Sequence, residues 1–221
     1  MMRLFDYCLF DLDGTLLDTR DGVIAASVKA MHDFDKNIPS ESVLESLIGP
    51  PMQVSYKKIF GLTDDEAMKM ANVFREYYKT DEFLFRATPY NGIFRTIEEL
   101  ISCGVMIGIA TYKREDYAKR LLCDKGFDKY TNHMYGSDFD GKLKKSDIIR
   151  LCLDRMECRD YTRAVYIGDG ISDGKGANDA RISFIAVTYG FGFKTAEEAM
   201  PYNPYCVVKN NRDVFKHICI E

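Results

Sequence analysis

The sequence contains no tryptophan and only three histidines, His32, His133 and His217, in 221 residues. Histidine is the commonest transition-metal ligand, but these three stand far apart and without the clustered cysteines of a zinc site. The seven cysteines include no C-x-x-C pair. We therefore expect neither a zinc site nor a Cys-His dyad. Cys8 and Cys152 fall within apolar patterns, so we interpret the cysteines as reduced thiols, mainly of the core.

Long apolar runs and an excess of basic residues are also missing. No stretch approaches the ~20 apolar residues that a membrane span needs. Residues 1–6 lack the apolar stretch of a signal peptide. Thirty basic residues against 34 acidic ones give a formal net charge of -4, so no overall positive field exists to attract nucleic acid or anionic lipid. We expect a cytoplasmic protein with no nucleic-acid polymer and no membrane as partner.

Short apolar runs, rich in branched and aromatic residues, predict buried strands. These runs are residues 7–10, 105–110, 164–167 and 184–187. Helical patterns lie between them, for example 93–103 closed by Gly104 and 116–125 closed by Gly126. Because strands that alternate with helices form parallel sheets, the sequence predicts an α/β fold with a doubly wound parallel sheet.

One segment breaks this alternation, with helix after helix and no convincing strand. Ser40 is a predicted N-cap of a helix over 41–48, which Gly49-Pro50-Pro51 would end. Residues 63–66 fit a capping box that opens an amphipathic helix. We therefore predict an all-helical domain inserted into the α/β domain. The predicted boundaries are 1–18 and 89–221 for the α/β core domain and 19–88 for the helical domain.

Two carboxylates leave the first predicted strand together. Asp11 and Asp13 stand in the string Leu9-Phe10-Asp11-Leu12-Asp13-Gly14-Thr15-Leu16. Like charges about 4 Å apart repel by ~4 kcal/mol at an effective dielectric constant near 20. Either one of the acids is protonated or a cation neutralises the pair.

Three further segments place polar residues beside predicted strands or helices. They are 107–113, where Thr111 follows a strand ending at Ala110; 140–147, with Lys142, Lys144 and Lys145; and 165–173, with Asp169 and Asp173. Because ligands bind beyond the carboxyl ends of the strands in open α/β sheets, we expect these groups on one rim. Four acids, a hydroxyl group and a lysine there would suit a hard divalent cation and an oxyanion.

These four segments resemble the four motifs of the haloacid dehalogenase (HAD) superfamily. The chain is most similar to the phosphoglycolate-phosphatase-like members, which carry an all-helical cap inserted after the first motif. The resemblance covers nearly the whole chain and includes residues 48–51, 89–92 and 189–192. The third motif lacks the proline that follows the lysine in many relatives. Lys145 fits this motif better than Lys144, because residues 145–149 run straight into a helix.

The resemblance implies a phosphatase that uses Mg²⁺ as its cofactor. Asp11 would be the nucleophile that forms an aspartyl-phosphate, and Asp13 the general acid and then base. Mg²⁺ would be held by the Asp11 carboxylate, the Asp13 backbone carbonyl and the Asp169 carboxylate, with Asp173 bound directly or through water.

The resemblance also implies which groups meet the phosphate and the rest of the substrate. Lys145, the Thr111 hydroxyl group and backbone N–H groups near Leu12 and Tyr112 would bind the phosphoryl oxygens. Lys113 would either contact substrate or face solvent at the start of a helix. The cap would close over the site and recognise the leaving group of the substrate. Its candidate contacts are Gly49, the Pro50-Pro51 loop and Arg86.

Several functions stay open or are disfavoured. A phosphotransferase of the β-phosphoglucomutase type shares the acid pair and the helical cap. A binding protein with this fold but no catalysis would be expected to lack Asp11, Asp13 or Asp169. Dehalogenases lack an acid at the position of Asp13, and a dinucleotide-binding oxidoreductase would need a third glycine at Asp173. The expected partner is a small phosphate ester, such as phosphoglycolate or a nucleotide, or else pyrophosphate, bound by a monomer or homodimer.

Overall fold

The computed structural model describes residues 2–139 and 142–220. Its strands are β1 (Met2–Arg3), β2 (Tyr7–Phe10), β3 (Leu17–Asp18), β4 (Thr88–Pro89), β5 (Met106–Arg114), β6 (Met134–Ser137), β7 (Ala164–Gly168), β8 (Ser183–Val187), β9 (Cys206–Val208) and β10 (Cys219–Ile220). Its α-helices are α1 (Arg20–Asp33), α2 (Glu41–Glu45), α3 (Met52–Phe60), α4 (Asp64–Tyr78), α5 (Asp81–Leu84), α6 (Ile93–Ser102), α7 (Glu115–Asp124), α8 (Lys145–Arg155), α9 (Ile171–Ala180), α10 (Ala196–Ala199) and α11 (Arg212–Ile218).

The main sheet has six parallel strands in the order β6-β5-β2-β7-β8-β9. Every residue of β7 and the last three residues of β2 are buried, as expected for a parallel sheet covered on both faces. From β2, the chain adds β5 and β6 on one side and β7, β8 and β9 on the other. The strand order therefore reverses beside β2, where doubly wound sheets place their ligand sites.

The predicted strands are found in this sheet, with one error that matters for the site. β5 does not end at Ala110 but continues to Arg114, so the predicted strand end is wrong by four residues. Its pairing with β6 is irregular over this extension: Ala110 pairs with Tyr135, and Arg114 pairs with Ser137. Three residues of β5 thus lie opposite one residue of β6, which is a bulge. The short edge strands β6 and β9 were not predicted.

The chain divides into two compact units. The sheet unit comprises the chain up to Asp18 and from Pro89 onward, and the helical unit is Thr19–Thr88. In the helical unit α1 packs against α4 and α5, and α3 packs against α4. Its buried side chains include Tyr56 from α3 and Met70 and Phe74 from α4. The predicted fold class, a doubly wound parallel sheet with an inserted all-helical unit, is confirmed.

Two predicted helix starts in the helical unit have different outcomes. The capping box is confirmed, since the Thr63 hydroxyl group accepts from the Glu66 N–H and the Glu66 carboxylate accepts from the Thr63 N–H at 2.9 Å. The helix expected over 41–48 is shorter, because α2 ends at Glu45. Ser40 occupies the N-cap position, but its hydroxyl group contacts the hydroxyl group of Ser42.

Cys8 and Cys152 are buried thiols in the sheet unit, as their apolar surroundings predict. Across residues 2–139 and 142–220, no helix is both long and apolar enough to cross a membrane.

Candidate active site

Three neighbouring strands deliver the acids and the hydroxyl group to one edge of the sheet. Asp11 directly follows β2, Asp169 directly follows β7, and Thr111 lies within β5. Asp173 comes from the first turn of α9. Ligand oxygens of Asp11, Asp169 and Asp173 all lie within 4.8 Å of one another, and the three residues are buried. We call these three residues the acid cluster.

Lys145 is the cation that meets the acid cluster. Its Nζ lies 2.6 Å from Asp11 Oδ1 and 2.9 Å from Asp173 Oδ1, and its side chain is 3% exposed. Lys144 precedes α8 as its N-cap residue and is exposed. Asp140 and Gly141, the first residues of the third sequence segment, lie outside the described residues.

The charges of this cluster do not balance. When all three carboxylates are ionised, they exceed the ammonium group of Lys145 by two negative charges in a buried site. Burial raises the pKa of Asp11 to about 7, opposed by Lys145 and reinforced by Asp173 and Asp13. Burial also raises the pKa of Asp169 to about 7, with Asp173 and Asp11 adding to the effect.

Lys145 keeps its proton in these surroundings. Burial opposes its charge, but Asp11 and Asp173 outweigh burial and raise its pKa. The acid cluster and Lys145 therefore fit a divalent cation: the donors are all oxygen atoms, as Mg²⁺ prefers, and the charge left over equals that of the ion.

Asp13 belongs to a second, more accessible ion pair. Its Oδ1 lies 3.0 Å from Lys113 Nζ, with 20% of the Asp13 side chain and 8% of the Lys113 side chain exposed. Lys113 stands in β5 and not at the start of a helix, so the solvent-facing interpretation of this lysine is wrong. The two acids of the first motif are thus held by different lysines.

The bulge in β5 sets the direction of Thr111 and its neighbours. Thr111 is 1% exposed. Its Oγ1 accepts a hydrogen bond from the Lys113 N–H at 3.1 Å, and this bond does not use the hydroxyl hydrogen. That hydrogen can be donated to an oxygen acceptor. Bulges commonly re-aim side chains next to active sites, and no periodicity in the sequence marks this one.

Three other predicted contact residues, Leu12, Gly49 and Arg86, have surroundings that do not test their predicted role. Leu12 is buried, and its carbonyl accepts from the Leu16 and Leu17 N–H groups in the turn after β2. Gly49 lies in the helical unit between α2 and α3, with φ at 102°. Arg86 donates to the Glu82 carbonyl at 2.9 Å. Contacts of these residues with substrate stay predictions.

The side-chain contacts of two tyrosines at the site were not predicted from the sequence. The Tyr112 hydroxyl oxygen accepts from the Lys145 N–H at 2.9 Å, although the prediction concerned only its backbone N–H. Tyr166 donates its hydroxyl hydrogen to the Ala110 carbonyl at 2.5 Å. Both rings lie with their centroids 5.4 Å from Lys145 Nζ, within the range of cation–π attraction. Tyr166 reads as an ordinary buried strand residue, and Tyr112 is half-exposed, so neither carries a sequence signal.

Comparison with known proteins agrees with this geometry. Residues 8–187 match the family model described as haloacid dehalogenase-like hydrolase. The chain is 31% identical over 199 residues to a 5'-nucleotidase from Pseudomonas aeruginosa, covering 90% of this chain and 89% of that one. It is 30% identical over 211 residues to the pyrophosphatase PpaX from Bacillus velezensis, covering 93% of both chains.

Among solved structures, the crystal structure of a predicted phosphatase from Clostridium acetobutylicum superposes with a TM-score of 0.87. The two chains are 30% identical, and the match covers 96% of this chain and 97% of that one. The resemblance found in the sequence is confirmed. The chain belongs to the haloacid dehalogenase-like hydrolase family.

Proposed function

We propose that this protein is a Mg²⁺-dependent phosphatase that hydrolyses a small phosphate monoester through a phosphoryl group carried on Asp11. One observation carries the proposal: a buried carboxylate, Asp11, lies 2.6 Å from Lys145 in a cluster where three carboxylates meet one ammonium group. An ordinary buried ion pair would be neutral, because unpaired buried charge is costly. The relatives named as a 5'-nucleotidase and a pyrophosphatase support phosphate chemistry.

The acid cluster would hold the cation. We assign its ligands to the carboxylates of Asp11, Asp169 and Asp173 and to the backbone carbonyl of Asp13. When bound, Mg²⁺ supplies the positive charge that offsets repulsion between the Asp11 carboxylate and a phosphate dianion. Lys145 adds a fixed positive charge at the same carboxylate, and Thr111 donates its hydroxyl hydrogen to a phosphoryl oxygen.

The reaction has two displacements at phosphorus. In the first, an Asp11 carboxylate oxygen bonds to phosphorus while the bond to the leaving oxygen breaks, and Asp13 gives its proton to that oxygen. In the second, a water oxygen attacks phosphorus, Asp13 takes a proton from the water, and the bond to Asp11 breaks. Inorganic phosphate leaves, and Asp11 and Asp13 return to their starting states.

The helical unit is proposed as a cap that excludes water and selects the leaving group. Gly49 and Arg86 are its candidate contacts with substrate. The substrate class is a small phosphate ester, with phosphoglycolate and nucleoside monophosphates as the first compounds to test and the phosphoanhydride pyrophosphate beside them.

The proposal predicts release of inorganic phosphate from such compounds with no bisphosphate activator present. EDTA should stop turnover and added Mg²⁺ should restore it, because the acid cluster cannot accept a phosphate dianion without a cation. Asp11→Asn should lower kcat by at least about 10³-fold, since the nucleophile is removed. Asp179→Asn removes an exposed acid of α9 and should leave kcat unchanged.

The measurement is phosphate release by purified protein across the compound panel. Undiminished turnover in EDTA would exclude the metal role. Conversion of a sugar phosphate to its isomer, dependent on a sugar bisphosphate and without release of inorganic phosphate, would instead identify a phosphotransferase.

A further inference from the structure

We propose that residues 189–193, here called the Asp169 loop, position the Asp169 carboxylate and thereby set the affinity of the site for its divalent cation. This inference rests on the proposed function, because it takes Asp169 as a cation ligand. It concerns residues that the four sequence motifs do not contain. Its test uses cation binding, which is measured separately from phosphatase activity.

Three consecutive backbone N–H groups of this loop donate to Asp169. Phe191 N donates to Asp169 Oδ2 at 2.6 Å and Gly192 N donates to the same oxygen at 2.8 Å. Phe193 N donates to the backbone carbonyl of Asp169 at 2.7 Å. Both hydrogen bonds that the structure shows for this carboxylate end on Oδ2, so its rotation is fixed and Oδ1 is left for a cation.

The loop approaches Asp169 so closely that two of its positions admit only glycine. A Cβ atom on Gly190 would lie 2.4 Å from Asp169 Oδ2 and 2.2 Å from the Gly14 carbonyl oxygen. A Cβ atom on Gly192 would lie 2.3 Å from the Asp169 carbonyl oxygen. Real Cβ atoms do not approach oxygen this closely, so any larger residue would push the N–H groups away from the carboxylate.

Side chains outside the acid cluster hold the loop in place. The Tyr189 hydroxyl group donates to the Thr15 carbonyl at 3.0 Å, which ties the loop to the turn after Asp11. Lys194 Nζ donates to the Gly190 carbonyl at 2.8 Å from an exposed side chain. Phe193 is buried in the core of the sheet unit. The loop therefore has one buried anchor and two hydrogen bonds that can be removed one at a time.

Groups that orient a metal ligand affect the metal strongly even without touching it. Loss of such a partner typically weakens metal binding by about 10- to 100-fold. Tyr189 and Lys194 act on Asp169 indirectly. Their hydrogen bonds hold the loop, and the loop in turn donates the hydrogen bonds that orient Asp169. We therefore expect smaller effects from them, about 3- to 10-fold.

The test is isothermal titration calorimetry, which measures the Kd of the whole chain for MgCl₂ alone and then for MnCl₂ alone. Lys194→Met and Tyr189→Phe should each weaken cation binding by about 3- to 10-fold, and Gly190→Ala by at least about 10-fold. Thermal unfolding of Lys194→Met should match the wild type, and Tyr189→Phe should stay folded with a slightly lower melting temperature, because its lost hydrogen bond is part-buried. The matched control is Lys175→Met, which removes an exposed lysine of α9 and should not weaken binding.

The direction of the Lys194→Met effect distinguishes lost positioning of Asp169 from the simple change in charge. Removing a positive charge near an anionic site favours cation binding, so weaker binding must come from lost positioning. Equal affinity in the wild type, Lys194→Met and Tyr189→Phe would overturn the inference even if Gly190→Ala failed to fold. Absence of Mg²⁺ and Mn²⁺ binding in the wild type would overturn both this inference and the metal role in the proposed function.

Discussion

At the residue scale, the site divides its two motif acids between two lysines. Lys145 pairs with Asp11 in nearly complete burial, whereas Lys113 pairs with Asp13 where a fifth of the acid side chain is exposed. The proposed roles match this difference, because a nucleophile benefits from a fixed, water-free setting. An acid that exchanges protons with water needs access to it.

Lys113 is expected to act as a positioning residue for Asp13. Lys113→Met removes the ion pair at 3.0 Å and lets the Asp13 carboxyl group turn away from the leaving oxygen. Alkyl phosphates need a proton on the leaving oxygen, whereas p-nitrophenyl phosphate has a leaving group that departs without one. We expect kcat/KM to fall about tenfold more for the alkyl phosphate than for the nitrophenyl ester.

The comparison of the two esters contains its own control, since both require the same nucleophile and cation. Lys113→Arg should restore most of the kcat/KM that Lys113→Met loses for the alkyl phosphate, because it keeps a cation beside Asp13. Equal losses for both esters would contradict a positioning role and would favour direct contact between Lys113 and the phosphoryl group.

At the scale of elements, the bulge in β5 is stabilised by a side chain of β7, which lies two strands away in the sheet. Tyr166 of β7 donates to the Ala110 carbonyl, at the residue where regular pairing of β5 with β6 stops. Its ring also lies 5.4 Å from Lys145 Nζ. One buried side chain therefore contacts the strand that carries Thr111 and the lysine that holds Asp11.

Tyr166→Phe keeps the ring and leaves the Ala110 carbonyl without this donor. The loss of a buried hydrogen bond should lower the free energy of unfolding by about 1–3 kcal/mol. Tyr130→Phe is the matched control, because the Tyr130 hydroxyl group donates to Glu98 at the surface, where water can replace it. Urea unfolding of both variants measures the difference. An equal decrease in the free energy of unfolding for both variants would show that burial of the Tyr166 hydrogen bond does not increase its contribution to stability.

At the scale of the whole molecule, the strand order brings the site together. Because β5, β2 and β7 are adjacent, acids separated by more than 150 residues, such as Asp11 and Asp169, meet at one edge. The sequence predicted this meeting, since each acid directly follows an apolar run and strand ends share an edge in parallel sheets. The sequence also predicted the acid pair that follows β2 and the glycines that end two of the helices.

The contacts that refine the site could not be predicted from the sequence. The pairing of Lys113 with Asp13 depends on a bulge that leaves no periodic pattern. The hydrogen bonds of residues 189–193 are made by backbone N–H groups, which every residue except proline has, so composition does not mark them. The edge strand β6 has only four residues and too few for alternation to be recognised.

The central claim is that the phosphoryl group passes through Asp11, and one measurement tests it directly. Asp13→Asn removes the base for the second displacement but not the nucleophile, so phosphoenzyme should accumulate with p-nitrophenyl phosphate and Mg²⁺. Acid quenching, proteolysis and mass spectrometry should then find one phosphoryl group on Asp11, and none when Asp11→Asn is added. Release of p-nitrophenol with no phosphoryl group on the protein, or with the group on another residue, would contradict the account.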